Sequence, residues 1–388
     1  MPRVLIIQAQ MKHYRVPLFT RLFEILRRDG IDLRVAYSAP HGLHGIVRDA
    51  GDLPSQIGEE VKGHWLAGRV IYQPLWREIA RADLVISGHE NKYLMNAWLF
   101  LLSALQLKTV ALWGLGPCME EDQSRMAHWL REKALIATDW YFGYTSGVVP
   151  YLTQHGVPAD RITAVQNAVD TGELRQSLES ISADEVEQAK ARLGIHTGPV
   201  GIYCGILEPT KHVPFLVDAA RLVRQRIPDF QLLVVGSGPD RTWVEEVATA
   251  NPWVHYLGQK FGREKALALR MADIFVLPGR VGLAILDSFA AGLPLFTTDL
   301  TIHGPEASYL IDGYNGRKTA HRVQAYADAV VEVLKSPSLL ERLRQSALAT
   351  ASQYTIEAMA ENFRHGIKQC LALRGSTPQM ASASVLSE

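Results

Sequence analysis

Strand-like and helix-like segments alternate along nearly the whole chain, and this alternation restricts the fold more than any other feature of the sequence. Short apolar runs separated by helical patterns predict strands at 4–7, 33–37, 84–87, 109–113, 140–144 and 162–165. After a pause and a charged helical stretch, further strands are predicted at 200–204, 231–235, 254–257, 274–277 and 295–298. Regular alternation of this kind predicts an α/β protein with parallel, doubly wound sheets.

The pause at 167–170 divides the pattern into two runs, which predict Rossmann-like domains at 1–170 and 171–354. Two consecutive Rossmann-like domains predict a cleft between them, where the carboxyl ends of both sheets face each other. A helix at 355–371 is expected to pack back on the first domain. The segment 40–80 is poorly periodic and predicts loops and short helices, and the strand at 295–298 is expected to complete the second sheet.

The composition suits two full apolar cores without a strongly charged surface. The 388 residues are 47% hydrophobic and 21% charged, with 40 basic and 40 acidic side chains. Proteins that mainly bind nucleic acid usually carry a concentrated basic patch, so the balance argues against such a partner. The three cysteines lack metal-ligand spacing and predict reduced thiols. Small polar residues at 375–388 predict a disordered tail.

The longest apolar run, 93–106, is too short to span a bilayer and is interrupted by Asn96 and Ser103. It predicts a buried crossover helix, and a helix that lies on a membrane is the alternative. Residues 2–8 predict a first strand rather than the apolar part of a signal peptide. These features predict a cytoplasmic protein, and they leave open a peripheral contact at the inner face of the membrane.

The stretch 278–294, P-G-R-V-G-L-A-I-L-D-S-F-A-A-G-L-P, joins a strand to a helix through a glycine-rich turn. Uncovered N–H groups at the positive end of a helix suit an oxyanion, typically a phosphate. Alternatively, Gly279 and Gly282 only relieve steric crowding in a tight connection. The stretch by itself leaves both interpretations open.

Three further loops follow strands of the second half and should lie at the same edge of the sheet. In the loop 205–211, Lys211 stands at a helix start, where a cation is unfavourable unless an anion lies nearby. A solvated surface lysine is the alternative. The glycines of 236–239 allow a backbone to approach a ligand closely. The last loop, 303–306, ends in Glu306, whose place in a first helical turn is favourable for an acid in any case.

Together the four loops resemble the second domain of family 4 retaining glycosyltransferases, which have the GT-B fold. That family has G-R-L-x-x-x-K, G-x-G-P, E-G-F-G-L-x-x-x-E-A-x-A-x-G-x-P and G-G-x-x-E in this order. The corresponding segments here are 205–211, 236–239, 279–294 and 303–306. The similarity includes the interdomain segment and covers roughly residues 1–370. The first half is similar to members found among bacterial surface-polysaccharide enzymes.

The chain departs from the family at three positions. Gly279 and Asp287 stand where the family has two glutamates, and Ile206 stands where it has an arginine. A role for the first carboxylate is therefore in doubt. We hypothesise that Arg280 supplies the missing cation to the diphosphate, or meets an acidic group on the donor sugar. The alternative is that Arg280 points to solvent.

The resemblance implies transfer of a sugar from a nucleotide-diphospho-sugar to a saccharide or lipid-linked saccharide, with retention of configuration, in cell-surface polysaccharide synthesis. The candidate catalytic residues are Lys211, Arg280 and His89. The candidate donor-binding residues are Gly236, Gly238, Gly258, Gly279, Val281, Gly282, Leu283, Asp287 and Glu306. The candidate acceptor-side residues are His13, Arg15 and Gly114.

The resemblance also implies roles for some of these groups. Asp287 would accept hydrogen bonds from ribose hydroxyls, and the backbone near Gly258 would meet the base. Cations and backbone amides would stabilise the leaving diphosphate, so that no protein nucleophile is required. For His13 and His89, the alternative is an ordinary hydrogen-bonding residue of a loop.

No Asp-x-Asp pair occurs in the sequence, and we expect neither a divalent metal nor a cofactor. His41 and His44 would suggest zinc, but no third ligand accompanies them. Two other functions stay open. A nucleotide-sugar epimerase would share the fold, and a non-catalytic nucleotide-sugar binder would explain the lost glutamate and arginine.

Overall fold

The computed structural model describes residues 1–39, 50–116 and 125–375. The chain divides into two units, of which the first comprises the residues up to Gln166 and the last helix, from Ile356. The second unit is Asn167–Thr355. Cys118, His41 and His44 lie outside the described residues, as does the predicted disordered tail apart from Gly375.

The first unit is built on a seven-stranded parallel sheet with the order β3-β2-β1-β6-β7-β8-β9. Its strands and the adjoining hairpin are β1 (Arg3–Gln10), β2 (Asp32–Ser38), β3 (Gly58–Glu60), β4 (His64–Leu66), β5 (Val70–Tyr72), β6 (Leu84–Gly88), β7 (Thr109–Gly114), β8 (Trp140–Gly143) and β9 (Ile162–Ala164). Its helices up to β9 are α1 (Val16–Arg28), α2 (Trp76–Arg81), α3 (Met95–Ala104), α4 (Arg125–Ile136) and α5 (Val149–Gln154). The central strands are fully buried apolar runs, as in sheets covered on both faces.

The described part of 40–80 contains three short strands, so the prediction of only loops and short helices was wrong there. β3 continues the sheet beyond β2, and β4 and β5 form an antiparallel hairpin. The sequence of β3 is Gly-Glu-Glu, which has no apolar alternation. Backbone hydrogen bonds at the sheet edge create this strand, including one from the Val61 amide to the Tyr37 carbonyl at 2.8 Å.

Helix α3 is buried on one face only, which corrects the prediction of a buried crossover helix. Met95, Asn96, Leu99 and Ser103 face the core. Leu94, Trp98 and Leu101 are exposed on the other side. Across the ranges that the structure describes, no helix is both long and apolar enough to cross a membrane.

The second unit is built on a six-stranded parallel sheet with the order β12-β11-β10-β13-β14-β15. Its strands are β10 (Val200–Cys204), β11 (Gln231–Val235), β12 (Val254–Gly258), β13 (Ile274–Val276), β14 (Leu295–Thr298) and β15 (Gly316–Thr319). Its helices are α6 (Gly172–Ser180), α7 (Ala183–Arg192), α8 (Val213–Arg226), α9 (Arg241–Ala250), α10 (Gly262–Arg270), α11 (Ala284–Ala290), α12 (Val323–Leu334) and α13 (Pro337–Ala351). This is the Rossmann order, in which the chain reverses direction between its first and fourth strands, here β10 and β13.

Strand β15 was not predicted, and β14 therefore does not complete the second sheet. Residues 316–319 are Gly-Arg-Lys-Thr, which gives no apolar signal for a strand. The register is Leu295↔Gly316, where a Cβ on the glycine would lie 2.1 Å from the Leu295 carbonyl oxygen. Close approach of the neighbouring backbone therefore requires glycine at this position.

The last helix, α14 (Ile356–Gly375), belongs to the first unit. Its Arg364 guanidinium binds both carboxylate oxygens of Asp29 at the end of α1, at 2.6 and 3.0 Å. Because of this ion pair, the pKa of Asp29 falls from 3.8 to about 2. Asn362 also donates to the Val165 carbonyl, next to β9. These polar contacts fix the last helix against a unit that the chain left about 190 residues earlier.

Candidate functional site

The loops after β10 and β13 meet at the point where the strand order of the second sheet reverses. The Lys211 ammonium donates to the Arg280 carbonyl at 2.7 Å, and the Arg280 amide donates to the Thr210 carbonyl at 2.8 Å. Ligands of open α/β sheets bind at such a reversal, beyond the carboxyl ends of the strands. Two predicted site residues, from loops 69 positions apart, are thus joined at the expected place.

Gly279 fits this junction because it has no side chain. A Cβ there would lie 2.4 Å from the Thr210 oxygen and 2.4 Å from the Lys211 carbonyl carbon. Real Cβ atoms do not approach backbone so closely, and both neighbours are backbone atoms that cannot rotate away. The position that holds a glutamate in the resembling family is therefore filled here by the loop of Lys211.

Two positive side chains lie at the junction. Lys211 is half-buried in a short 3₁₀ turn, and Arg280 is exposed. Burial lowers the pKa of the Lys211 ammonium, the Glu208 carboxylate raises it, and the positive charge of Arg280 lowers it further. Within the described ranges the Arg280 guanidinium has no hydrogen-bond or ion-pair partner. An anion at this place would relieve the repulsion between the two cations.

The amides of 280–283 are less available than the sequence suggested. The Val281 amide donates to Nδ1 of His303 at 3.0 Å, and the Arg280 amide is bonded as described. Of the four, the amides of Gly282 and Leu283 have no acceptor in the described part of the chain. Helix α11 begins only at Ala284, after Leu283 as its N-cap.

His303 is a structural residue of this site that sequence analysis missed. Because Nδ1 accepts from the Val281 amide, the ring proton lies on Nε2, which donates to the Thr298 carbonyl at 2.7 Å. Burial lowers the pKa of His303, which favours this neutral form. The histidine thus links the turn before α11 to the end of β14. Its position in the quoted 303–306 motif was the only signal for it.

The two glycines of the loop 236–239 allow close packing of protein against protein. A Cβ on Gly236 would lie 1.8 Å from the Gly205 oxygen, and one on Gly238 would lie 2.3 Å from the Leu207 oxygen. The Leu207 amide also donates to the Ser237 carbonyl at 3.0 Å. These glycines therefore seat the loop after β11 on the loop that leads to Lys211.

Gly258 lies at the end of β12 with φ near +70°, a conformation that favours glycine. Its carbonyl accepts from the Gly236 amide at 2.9 Å. The nearby Tyr256 hydroxyl donates to the Gly236 carbonyl at 3.0 Å. This edge is thus fixed to the neighbouring loop, and its predicted contact with a base stays a prediction.

Asp287 is paired with Lys265, which sequence analysis did not single out. The Lys265 ammonium lies 2.7 Å from Oδ2 of Asp287, and both side chains are three-quarters buried or more. Burial lowers the pKa of Lys265, but the charge and hydrogen bond of Asp287 outweigh it, so the pKa is raised. The adjacent Cys204 thiol has its pKa raised to about 12 by burial. No local pattern could reveal this pair, because Lys265 comes from α10 and Asp287 from α11.

Glu306 is buried, and its carboxylate accepts a hydrogen bond from the Asn167 side-chain amide. The Tyr309 hydroxyl donates to the Asn167 carbonyl at 3.1 Å. Gly304, just before Glu306, donates through its amide to the Val281 carbonyl at 2.8 Å. The predicted loop of Glu306 therefore adjoins the turn before α11, while one of its carboxylate oxygens is already engaged.

The acceptor-side candidates of the first unit follow β1 and β7. The Arg15 guanidinium is buried and lies 4.5 Å from the centre of the Trp113 ring, a cation–π contact. The same guanidinium also lies over the rings of Tyr14 and Tyr144. His13, two residues earlier, is exposed. Arg15 thus fixes the loop after β1, and His13 is the group left at the surface.

His89, after β6, is buried beside Tyr141, whose hydroxyl lies 2.9 Å from Nδ1 of the ring. Gly114 makes room for it, since a Cβ there would lie 2.8 Å from Cβ of His89. The predicted neighbours His89 and Gly114 are therefore in contact. Burial against an aromatic ring makes His89 part of the packing around the reversal point of the first sheet.

The expectation that the protein binds no divalent metal stays a prediction. In residues 1–39, 50–116 and 125–375, no three His, Cys, Asp or Glu side chains gather as a metal site would require. The pair His41 and His44 lies outside these ranges.

Comparison with known proteins adds to this geometry. Residues 198–336 match the family model described as glycosyl transferases group 1. A phosphatidyl-myo-inositol mannosyltransferase of Mycobacterium leprae is 29% identical over 180 residues, 45% of this chain and 47% of that protein. The chain thus matches about half the length of such relatives.

Solved structures are similar over nearly the whole chain. A glycosyltransferase from Rickettsia africae has a TM-score of 0.69 at 14% identity and covers 95% of this chain and 98% of its own. Anabaena HepE in complex with UDP has a TM-score of 0.67 at 15% identity, with coverage of 95% and 100%.

These likenesses, with two Rossmann-like sheets, define the class as GT-B, as the sequence predicted. Within that class, the second unit matches the glycosyl transferases of group 1. The predicted relationship to glycosyltransferases is therefore confirmed, while assignment to family 4 stays a prediction.

Proposed function

We propose that the protein is a glycosyltransferase that moves a sugar from a nucleotide-diphospho-sugar to a saccharide or lipid-linked saccharide. One observation carries this proposal. Lys211 and Arg280 are joined at the strand reversal of the unit that matches glycosyl transferases of group 1. Two cations at the carboxyl edge of a Rossmann sheet suit a diphosphate.

The chemical step is departure of the diphosphate from the anomeric carbon. Lys211 has three N–H donors, of which one is used by the Arg280 carbonyl. The others, with the Arg280 guanidinium and the amides of Gly282 and Leu283, would stabilise the negative charge that develops on the leaving oxygen. The acceptor oxygen would bond to the anomeric carbon on the face from which the diphosphate leaves, and its proton would pass to the departing phosphate. The configuration would be retained, and no metal or protein nucleophile would be needed.

The pair of Asp287 and Lys265 would bind the ribose of the donor. Lys265 occupies Oδ2, which leaves Oδ1 of Asp287 to accept from a hydroxyl. Lys265 fixes the carboxylate in place through the ion pair at 2.7 Å. The side chain of Asp287 is one methylene shorter than the glutamate of the resembling family, and the ion pair with Lys265 holds it in one position.

The names of similar proteins support the choice of acceptor and donor. The relative from Mycobacterium leprae is named for a phosphatidyl-myo-inositol acceptor, which supports a lipid-linked acceptor for this class. UDP in the HepE complex supports a nucleotide donor. We further propose that the protein acts in the cytoplasm in the synthesis of cell-surface polysaccharide. His13, Arg15 and Gly114 would lie on the acceptor side.

A panel of nucleotide sugars tests the donor. Each is added at a saturating concentration and the melting temperature is measured; a ligand at about 100 times its Kd adds about 2.7 kcal/mol of stability. The stabilising donor is then incubated with saccharide and lipid-linked acceptors in excess chelator, and the anomeric configuration of the product is determined by NMR.

The outcomes separate the candidate functions. A retained product formed in chelator supports the proposal in full. Binding without turnover identifies a non-catalytic binder, and conversion of the donor without an acceptor identifies an epimerase. If magnesium or manganese restores activity that the chelator abolished, the metal-independent step is wrong.

A further inference from the structure

Helix α3 of the first unit has an apolar outer face. Leu94, Trp98, Leu101 and Leu105 are 40%, 52%, 48% and 58% exposed. They recur at spacings of three and four residues, so they line one side of the helix. Leu99 is buried on the opposite side. A helix that is apolar on all sides is normally buried on all sides, which indicates that something covers the outer face in function.

Trp76 of α2 extends this face. Its ring centre lies 5.6 Å from that of Trp98, in an edge-to-face contact. Its indole N–H donates to the Tyr72 hydroxyl at 3.1 Å, so the polar edge of the ring is satisfied while 44% of the residue is exposed. We call Trp76, Leu94, Trp98, Leu101 and Leu105 the α3 face.

Cations accompany the α3 face. Arg77 and Arg81 are exposed on α2, one helical turn apart, and neither has an ion-pair partner in the described ranges. Residues 62–108 contain six Lys or Arg and three Asp or Glu side chains. Two of these acids are engaged, since Asp83 accepts from the Arg3 amide and Glu90 pairs with Lys92. The region is therefore positive as well as apolar.

We propose that the α3 face docks on a bilayer that contains anionic lipid. Tryptophan and leucine side chains on one side of a short helix, with arginines beside them, fit the boundary between lipid head groups and acyl chains. Guanidinium groups bind lipid phosphates through paired hydrogen bonds, and cations near the surface are attracted by its negative potential. Helix α3 has ten residues, so it would lie in the plane of the membrane.

The partner is a lipid surface rather than a second protein because the face is both apolar and accompanied by positive charge. Leucines of α3 and tryptophans of α3 and α2 are exposed next to Arg77 and Arg81, which have no ion-pair partner in the described ranges. A bilayer supplies both a fluid apolar layer and phosphates without requiring a complementary groove. The inference concerns the first unit alone and does not depend on the transfer reaction.

Vesicle sedimentation tests the inference on the full chain. Binding to vesicles of phosphatidylcholine with phosphatidylglycerol is compared for the parent, the Trp98→Ser/Leu101→Ser variant and an Arg77→Glu/Arg81→Glu variant. Phe261→Ser/Leu348→Ser is the control, because these residues of the second unit are 66% and 51% exposed. All substituted side chains are on the surface, and circular dichroism verifies that each variant is folded.

We expect the parent to bind and the α3-face variant to lose about tenfold or more in partition coefficient. The arginine variant should lose binding to anionic vesicles, and the control should stay within about twofold of the parent.

A parent that does not bind these vesicles would overturn the proposal, and so would equal losses in the α3-face variant and the control. A dimer in sedimentation velocity that Trp98→Ser/Leu101→Ser dissociates, without vesicle binding, would assign the face to a second copy instead. Failure in this assay leaves the transferase proposal unaffected.

Discussion

The ammonium of Lys265 lies 2.7 Å from Oδ2 of Asp287, between helices α10 and α11 and beside the Cys204 thiol. The attraction between the two charges offsets the free-energy cost of burying them. A carboxylate left in this place without its cation would be costly, since unpaired buried charges destabilise far more than a lost surface pair does.

Lys265→Met should therefore reduce the free energy of unfolding by about 2 kcal/mol, less than for a fully buried pair because both groups retain some contact with water. Asp287→Leu alone should have a similar cost. The double variant should recover part of the loss, because no unpaired charge remains. Urea unfolding of the four proteins measures this cycle, and strictly additive losses would contradict a direct pair.

Gly279→Ala should destabilise the second unit by about 1–3 kcal/mol, because its Cβ would meet the backbone of Thr210 and Lys211. Gly282→Ala is the matched control: three residues later, a Cβ would meet nothing within 4 Å. Thermal unfolding distinguishes the two. Gly279→Glu, which restores the residue of the resembling family, should also destabilise the protein; a stable Gly279→Glu protein would show that the loop can move aside.

Lys211→Ala should lower kcat/KM roughly tenfold to more than a hundredfold, because a charge-assisted contact to the diphosphate is worth about 1.5–3 kcal/mol. The variant also loses the bond to the Arg280 carbonyl, so its melting temperature is measured beside its kinetics. Lys335→Ala, at an exposed position, is the control. A folded Lys211→Ala protein with the kinetics of the parent would exclude Lys211 from the reaction.

Arg280→Lys keeps the charge and removes the fork that binds phosphate or carboxylate through two parallel hydrogen bonds. If Arg280 binds the donor in this way, Arg280→Lys and Arg280→Ala should both show a large fall in transfer rate. Arg192→Ala, an exposed arginine of α7, should transfer sugar at the parental rate. Transfer by Arg280→Ala as fast as by the parent would mean that this arginine only faces solvent.

The pair of Asp29 and Arg364 should make the first unit sensitive to acid. The pKa of Asp29 is lowered from 3.8 to about 2 in the folded protein, chiefly by the hydrogen bonds from Arg364. The stabilisation is therefore complete above about pH 4 and is lost as the pH falls towards 2. Unfolding measured between about pH 5 and pH 2 should show a steeper loss in the parent than in Asp29→Asn. Parallel curves would contradict a bonded carboxylate.

The sequence by itself determined the alternation of strands and helices, because apolar periodicity is a local property that burial on a sheet requires. It also located the loops that carry Lys211 and Arg280, because the carboxyl ends of parallel strands share one edge. It could not indicate strands such as Gly58–Glu60 and Gly316–Thr319, which form because their backbones pair with an existing sheet edge.

Only the tertiary structure decided which groups are already engaged. Asp287 has its cation from another helix, Glu306 has the Asn167 amide, and the Val281 amide has the ring of His303. Such contacts join residues far apart in the chain, and their spacing follows no local period. Gly279 shows the same limit. Its sequence position indicated a lost carboxylate, whereas the backbone of Lys211, brought 2.4 Å from where a Cβ would stand, is the physical reason that only glycine fits.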